Sequence, residues 1–317
     1  MTRESVSIVG AGNMGHGLAA HFTAHDRDVT VIDHRESNLD ITRDRIRDAL
    51  AFLAEEGIAD VDPDRVDRIG FTTDLPAGVA DADVVIETVP EDVDTKHEVF
   101  TELAAAAPDD AVLASNTSSI PITTLAEPVP DAADRVVGCH WWYPPYLLTP
   151  VEVVRGEETS EATVEALTAL LEAVDRDPIL VERDVPGFVW NRVQRAVFRE
   201  CFHMVEEGIA SVDDINRAIR DGYAARTAVI GPFETIDVAG IEQILPGTKR
   251  IQPTLCNDAE PSPLYEEYLE RGRGGIEDGA GFFEYDRPPE SITAERDRKI
   301  AALRRSLREV DGTETGQ

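Results

Sequence analysis

Residues 5–33 read SVSIVGAGNMGHGLAAHFTAHDRDVTVID, and this stretch decides the fold. Ser5 to Gly10 is a short apolar run, the pattern of a buried strand. Gly10-Ala11-Gly12-Asn13-Met14-Gly15 follows, then a helical stretch, then a second strand ending at Asp33. Strand, glycine turn, helix, strand is the context in which G-x-G-x-x-G binds a dinucleotide. Gly10 permits the tight turn, Gly12 lets the backbone approach a pyrophosphate, and Gly15 lets helix and strand pack closely. The helix N-terminus favours the phosphate charge. Asp33 can accept hydrogen bonds from both ribose hydroxyls and repels a 2′-phosphate, which favours NAD over NADP. His34 and Arg35 follow directly and soften that preference.

Working outward, residues 39–56 carry apolar positions near helical spacing, with Gly57 as a plausible stop, and Pro63 begins a second short helix. This pair is read as an insertion near 39–68, a solvated arm whose arginines could instead guide a ligand. The strands IGFTTD and DADVVIETV come next, then a helix from Asp94 with Glu91 and Lys96 at its start. AVLASNTSSI runs from a strand into the polar turn Ser115 to Ser119. Such residues cap helices, and at the carboxyl end of a strand in this fold they also face the ligand crevice. Strands RVVGCHWW and PVEVV, a helix, and DPILVE complete the alternation.

Composition shifts at Arg183-Asp184-Val185-Pro186-Gly187, after which the pattern is helical. The expected fold is therefore α/β: a Rossmann-type doubly wound sheet over 1–184, followed by a smaller all-α domain over 185–286. Residues 287–317 form a charged helical extension with Ile300, Leu303, Leu307 and Val310 on one stripe and a disordered end, DGTETGQ.

The 317 residues hold 62 Asp and Glu against 30 Lys and Arg, a formal charge of −32 spread along the whole chain. That sign disfavours nucleic acid. It suits a cytoplasm of high salt, where screening makes self-repulsion tolerable. There is no signal-peptide pattern and no membrane-spanning run, so a cytoplasmic protein is expected. Cys139, Cys201 and Cys256 lack metal spacing and are read as incidental thiols, with no metal site.

One candidate for chemistry stands out in RVVGCHWWYPPYLLTPVEVVR, residues 135–155: His140 at the end of one apolar run and Glu152 inside another. A histidine carries a proton near neutral pH, and a carboxylate fixes its tautomer and stabilises its cation. A core histidine and an edge-strand glutamate give the same spacing.

Taken together, IVGAGNMGHGLA, VVIETVPEDVDTKHEVF, ASNTSSIPIT, the His140-to-Glu152 segment, DVPGFVWNRV and GPFETIDVAG resemble the 3-hydroxyacyl-CoA dehydrogenase family, from about residue 5 to 286. The resemblance implies His140 as catalytic base, Glu152 as its orienting carboxylate, and Ser118 and Asn191 as holders of the substrate oxygen. It also implies coenzyme contacts at Gly10, Gly12, Asn13, Met14, Gly15, Asp33, Glu91, Lys96 and Asn116, and a homodimer through the C-terminal domain. The implied activity is NAD-dependent oxidation of a short-chain 3-hydroxyacyl-CoA, within fatty acid metabolism. An L-gulonate or L-carnitine type dehydrogenase of a free hydroxy acid is the alternative, suggested by Pro-Pro-Tyr-Leu-Leu. A non-catalytic NAD-binding protein is another. Two departures bear on the choice. The family's Phe-Phe-Asn-Pro is here Trp141-Trp142-Tyr143-Pro144, with Tyr143 either turned into the core or reshaping the acyl pocket. Its Gly-Lys-Lys-Thr-Gly is here Gly275-Ile276-Glu277-Asp278-Gly279.

Overall fold

The computed structural model describes residues 4–311. They divide into two compact units, one up to Asn191 and one from Arg192. The first alternates β1 (Ser5–Val9), α1 (Asn13–Ala24), β2 (Asp28–Ile32), α2 (Glu36–Glu55), β3 (Gly70–Thr72), α3 (Leu75–Val79), β4 (Val84–Glu87), α4 (Val93–Ala106), β5 (Val112–Ser115) and α5 (Ile122–Ala126). It continues with β6 (Val136–Trp141), β7 (Pro150–Val154), α6 (Glu161–Ala173) and β8 (Asp177–Val181), and α7 (Trp190–Glu206) begins at its end. The eight strands form one sheet in the order β3-β2-β1-β4-β5-β6-β7-β8. All neighbours are parallel except β6 and β7, which are antiparallel. This is the doubly wound sheet the alternating pattern implies, with the order reversing between β1 and β4.

Strand periodicity sorts the side chains. Val6, Ile8, Val84, Ile86, Val137, Cys139, Val151 and Val153 pack on the face covered by α1, α2 and α6. Val9, Val85, Leu113, Val136 and Val154 pack on the face covered by α3, α4 and α5. With a side-chain period of two, Glu87, Ser115, His140 and Glu152 all fall on this second face. Local signals set the helix ends: Asp92 and Ser160 cap α4 and α6 through their side chains, and Gly57 follows α2 with φ of 64°. The short helix from Pro63 is a 3-10 turn, Pro63–Arg68.

The second unit is helical, with only isolated bridges at Gly275, Ala280 and Glu284 among its described residues. Ser211 caps the helix Val212–Arg217, as its position suggests. This unit buries few apolar side chains: Ile215 and Ala301 are buried, while Phe233, Val238 and Val229 are 81%, 80% and 72% exposed. In the last helix, Pro289–Asp311, the apolar stripe is uneven, with Leu303 and Val310 exposed and Ile300 and Leu307 half-buried. Most of the end read as disordered, 312–317, lies outside the described residues.

Candidate active site

The glycine turn is built as its spacing demands. Gly10 has φ of 111°, and a Cβ on Gly15 would lie 1.9 Å from the Gly10 carbonyl oxygen. Neither position tolerates a side chain. At Gly12 a Cβ would meet nothing within 4 Å. Gly12 is also the N-cap of α1 and offers no side-chain hydrogen bond, so the first amides of the helix are left for another acceptor. An open approach to uncapped amides is what a pyrophosphate needs. Asn13 is exposed and accepts a bond from Arg45 Nη1 at 3.2 Å; Met14 packs against the core.

Asp33 sits just past β2 and is already engaged. Its Oδ2 accepts from the Ala11 amide at 3.0 Å, and its Oδ1 accepts from the Arg35 amide and the Asn38 side chain. It ties the glycine turn to β2; Oδ1 takes two donors, and Oδ2, with one, keeps a lone pair for a ribose hydroxyl.

Beyond β4 lies a buried polar cluster. Lys96, 1% exposed, donates to Glu87 Oε1 at 2.6 Å and to the Val89 carbonyl, and lies 3.5 Å from Glu91. Ser115 donates to the other Glu87 oxygen at 2.6 Å. Burial raises the Glu87 carboxyl above its ordinary range, against the opposing pull of Lys96, Ser115 and the Val89 amide. Glu91 Oε1 collects the Thr117 hydroxyl together with the amides and hydroxyls of Ser118 and Ser119. Burial pushes the Glu91 carboxyl up, but those bonds and the Lys96 charge outweigh it and hold it below the usual value. Lys96 is thus enclosed by protein partners, and Glu91 shapes the turn that carries Ser118.

The antiparallel ladder sets His140 directly opposite Glu152, on one face. Nδ1 of His140 lies 2.6 Å from Glu152 Oε2, and both residues are buried. Glu152 Oε1 accepts from the Val189 and Trp190 amides at 2.7 and 2.9 Å, and the Trp142 indole donates to Oε2 at 3.3 Å. Burial works against the Glu152 charge, yet the bonds from His140, Trp190 and Val189 hold its carboxyl below the ordinary range. With Glu152 as acceptor, the neutral tautomer of His140 carries its proton on Nδ1 and leaves Nε2 as a hydrogen-bond acceptor. Gly187 and Phe188, with φ of 81° and 47°, turn the chain before those two amides. A left-handed Phe is strained, and burial of its ring, 5.7 Å from that of His140, helps hold it there.

Two side chains join this pair to the polar turn. Asn116 Oδ1 accepts from the Trp141 amide at 2.9 Å, and Asn191 Nδ2 donates to the Ser118 carbonyl at 3.1 Å. The compact units divide after Asn191, beyond the composition shift at 183–187, and residues 189–191 are bound to Glu152 and Ser118. Glu87, Trp142 and Phe188 are not singled out as site residues by the sequence. A glutamate in the apolar strand VVIE is the one signal that pointed to any of them. Tyr143 is 47% exposed and does not turn into the core. Cys139 is fully buried, which pushes its thiol up to about 12 and leaves it inert. Among the described residues no group of three or more His, Cys, Asp or Glu is arranged to hold a metal ion, and no helix is long and apolar enough to cross a membrane.

Residues 5–185 match the model of the 3-hydroxyacyl-CoA dehydrogenase NAD binding domain, and residues 187–285 that of the 3-hydroxyacyl-CoA dehydrogenase C-terminal domain. The chain is 34% identical over 305 residues to 5-formyl-3-hydroxy-2-methylpyridine 4-carboxylate 5-dehydrogenase of Mesorhizobium japonicum, covering 96% of this chain and 98% of that one. It is 34% identical to L-carnitine dehydrogenase of Streptomyces coelicolor, covering 95% and 94% of the two chains. Identity to a probable 3-hydroxybutyryl-CoA dehydrogenase of Deinococcus radiodurans is also 34%, over 88% of this chain and 99% of that one. A solved structure of a 5-formyl-3-hydroxy-2-methylpyridine 4-carboxylic acid 5-dehydrogenase, described as an NAD-dependent dismutase, superposes with a TM-score of 0.89 at 33% identity, covering 96% and 99%.

Proposed function

This chain belongs to the 3-hydroxyacyl-CoA dehydrogenase family and is an NAD-dependent oxidoreductase; within that family we propose that it oxidises the secondary alcohol of a small free hydroxy acid. The observation that carries the chemistry is the 2.6 Å bond between His140 and Glu152. Nε2 of neutral His140 takes the hydroxyl proton as the C–H bond of the alcohol carbon breaks, and Glu152 offsets the imidazolium charge. NAD, when bound, takes up the hydride. Ser118 and Asn191 hold the substrate oxygen as it becomes a carbonyl, supported by the bond between Asn191 and the Ser118 carbonyl. In the reverse direction His140 is the general acid. Gly10, Gly12, Asn13, Gly15 and Asp33 form the cradle for the coenzyme.

Charge favours a free acid over a thioester. A coenzyme A carrier is a polyanion, which the formal charge of −32 opposes wherever salt does not screen it. On the arm from α2 to the 3-10 turn, Arg43 and Arg47 both approach Asp67, and Arg65 pairs with Asp26 at 2.7 Å. Neighbouring carboxylates thus neutralise much of the arm's cationic charge. The likeness to a carnitine dehydrogenase over 95% of this chain supports the same reading. The thioester reading keeps the support of the Deinococcus relative. NADH formation in molar salt with L-carnitine, L-gulonate and 3-hydroxybutyryl-CoA, assayed side by side, tests this. We expect kcat/KM to be highest for a free acid. A preference for the thioester reverses the assignment, and turnover of none of the three leaves a non-catalytic NAD-binding protein.

The helical unit pairs with a second copy. Its exposed Val229, Phe233, Val238, Ile241 and Leu269 leave the unit without an adequate core of its own. Light scattering in molar salt should give twice the chain mass.

A further inference from the structure

We propose that Trp142 is a positioning residue for the His140–Glu152 pair: its indole N–H sets how firmly Glu152 holds the imidazolium, and its stacking on Trp190 keeps that donor aimed. The proposal rests on the reading of His140 as proton carrier.

Glu152 is fully committed. Its Oε1 takes two main-chain amides, while Oε2 is shared between His140 Nδ1 at 2.6 Å and Trp142 Nε1 at 3.3 Å. A carboxylate offers about four lone-pair sites, so these donors saturate it. A second donor on Oε2 stabilises the anion and lowers its appetite for the proton on Nδ1. The imidazolium is then held less tightly than by a carboxylate bonded to histidine alone.

Trp190 acts at both ends of this arrangement. Its amide holds Oε1, and its ring stacks on Trp142 with centroids 4.3 Å apart and planes 20° from parallel. One residue thus fixes both the carboxylate and the indole that donates to it. The family pattern Phe-Phe-Asn-Pro has Phe at position 142, which stacks but cannot donate. The indole bond is therefore a feature of this chain.

Among the described residues, Glu152 is acted on by the charge of His140. Its ladder partner on β8 is Ile179, the segment from Gly187 to Asn191 carries no charged side chain, and the loop after β6 brings only tyrosines, Tyr143 and Tyr146, as titratable groups. His140, on β6, is the titrating partner.

The test is Trp142→Phe, which keeps the stack and removes the donor. In the oxidation direction the acid limb of kcat/KM should move to higher pH by about half a unit to one unit, because Glu152 then holds the imidazolium more firmly. The KM for NAD should not change. A limb that stays in place while the rate falls at every pH means that the ring only packs, and overturns the proposal. His140→Ala is run alongside. If it retains turnover, the proton-carrier reading itself fails; if it is dead while the Trp142→Phe limb is unmoved, only the role of Trp142 is rejected. Should Trp142→Phe not fold, the native chain still reports, because its three tryptophans give three indole signals under selective 15N labelling. One of the three should move on Glu152→Gln and titrate with the acid limb. Three signals indifferent to both overturn the proposal.

Discussion

His140 and Glu152 are register partners in the one antiparallel step of the sheet, joined at 2.6 Å. The geometry follows from strand pairing. Directly opposed residues on one face of antiparallel strands have Cβ atoms about 5 Å apart, within reach of an imidazole–carboxylate bond. On the proposed role of His140, His140→Ala should cut kcat by about 10²- to 10⁴-fold with the KM for NAD nearly unchanged. Glu152→Gln should fall in the same range. Steady-state rates across pH check both, and near-normal turnover in either variant removes the assignment.

The Glu152 carboxyl is held below its ordinary range, and this fixes a sign. A depressed carboxylate contributes stability that is present above the unfolded value, near 4.3, and lost as pH falls through the folded value. Melting temperature should therefore drop below about pH 4 in the native chain, and less steeply in Glu152→Gln. Parallel melting curves from pH 6 to pH 3 make the comparison. Equal slopes would show that the pair does not couple folding to protonation.

Glu91 holds the turn of Ser118 through one oxygen. The bonds from Thr117, Ser118 and Ser119 converge there. Glu91→Ala should free the amides of Ser118 and Ser119, speeding their hydrogen exchange by about tenfold for each lost bond of ordinary strength. Substrate KM should rise with it. Exchange measured by mass spectrometry over residues 115–121 settles the point; unchanged protection would mean that the turn holds itself.

The Glu87–Lys96 pair is a different case, because both partners are almost fully buried. Lys96→Met leaves a carboxylate buried without its cation, a loss of about 3–5 kcal/mol. Glu87 already lies above its ordinary range. A raised carboxyl contributes stability that is complete below the unfolded value and lost as pH rises through the folded one. The defect of Lys96→Met should therefore be smaller near pH 5 than at pH 8. Glu87→Gln with Lys96→Met should recover most of the loss at pH 8. Denaturation in molar salt at the two pH values reads this, and a defect independent of pH would place the cost in packing.

Local rules explain why so much of this was legible in sequence. The glycine turn, the alternation of strands and helices, the stop at Gly57 and the cap at Ser211 each depend on a few adjacent residues. Contacts that depend on strand order were not legible. Lys96 reads as a coenzyme contact, and its bond to Glu87, formed where β4 and α4 meet, is not announced by the sequence. Asn116 likewise turns its carbonyl to Trp141 on the neighbouring strand. His21 and Arg176 stand 155 positions apart and meet at 2.6 Å, which no periodicity announces. The left-handed backbone at Phe188 is equally silent in sequence, since its cause is the packing of the ring beside His140.

Cys139 adjoins His140 in sequence but points to the opposite face of β6, into the core. Its thiol is pushed up to about 12 by burial, with the Trp141 indole donating to Sγ at 3.1 Å. At pH 8 almost none of it is thiolate, the reactive form. Iodoacetamide should leave Cys139 unmodified in the folded chain and label it in urea, as read by peptide mass spectrometry. Labelling at native rates would show that the strand opens under assay conditions.

Acidic residues outnumber basic ones by 62 to 30, with only Lys96, Lys249 and Lys299 as lysines, and Lys96 is enclosed in the core. The uncompensated charge is therefore a property of the surface, and its repulsion acts on the folded state more than on the expanded chain. Screening shortens from about 10 Å at 0.1 M salt to about 3 Å at 1 M, inside the spacing of most surface carboxylates. Melting temperature should climb steeply over that interval and go on rising with potassium chloride beyond it. If the helical unit forms the contact between copies, the dimer should dissociate in dilute buffer before the sheet unfolds, because two acidic surfaces are then pressed together without screening. Sedimentation and far-ultraviolet circular dichroism on the same samples separate the two events. A melting temperature equal at 0.1 M and 2 M salt would show that this surface is merely acidic and not adapted to brine.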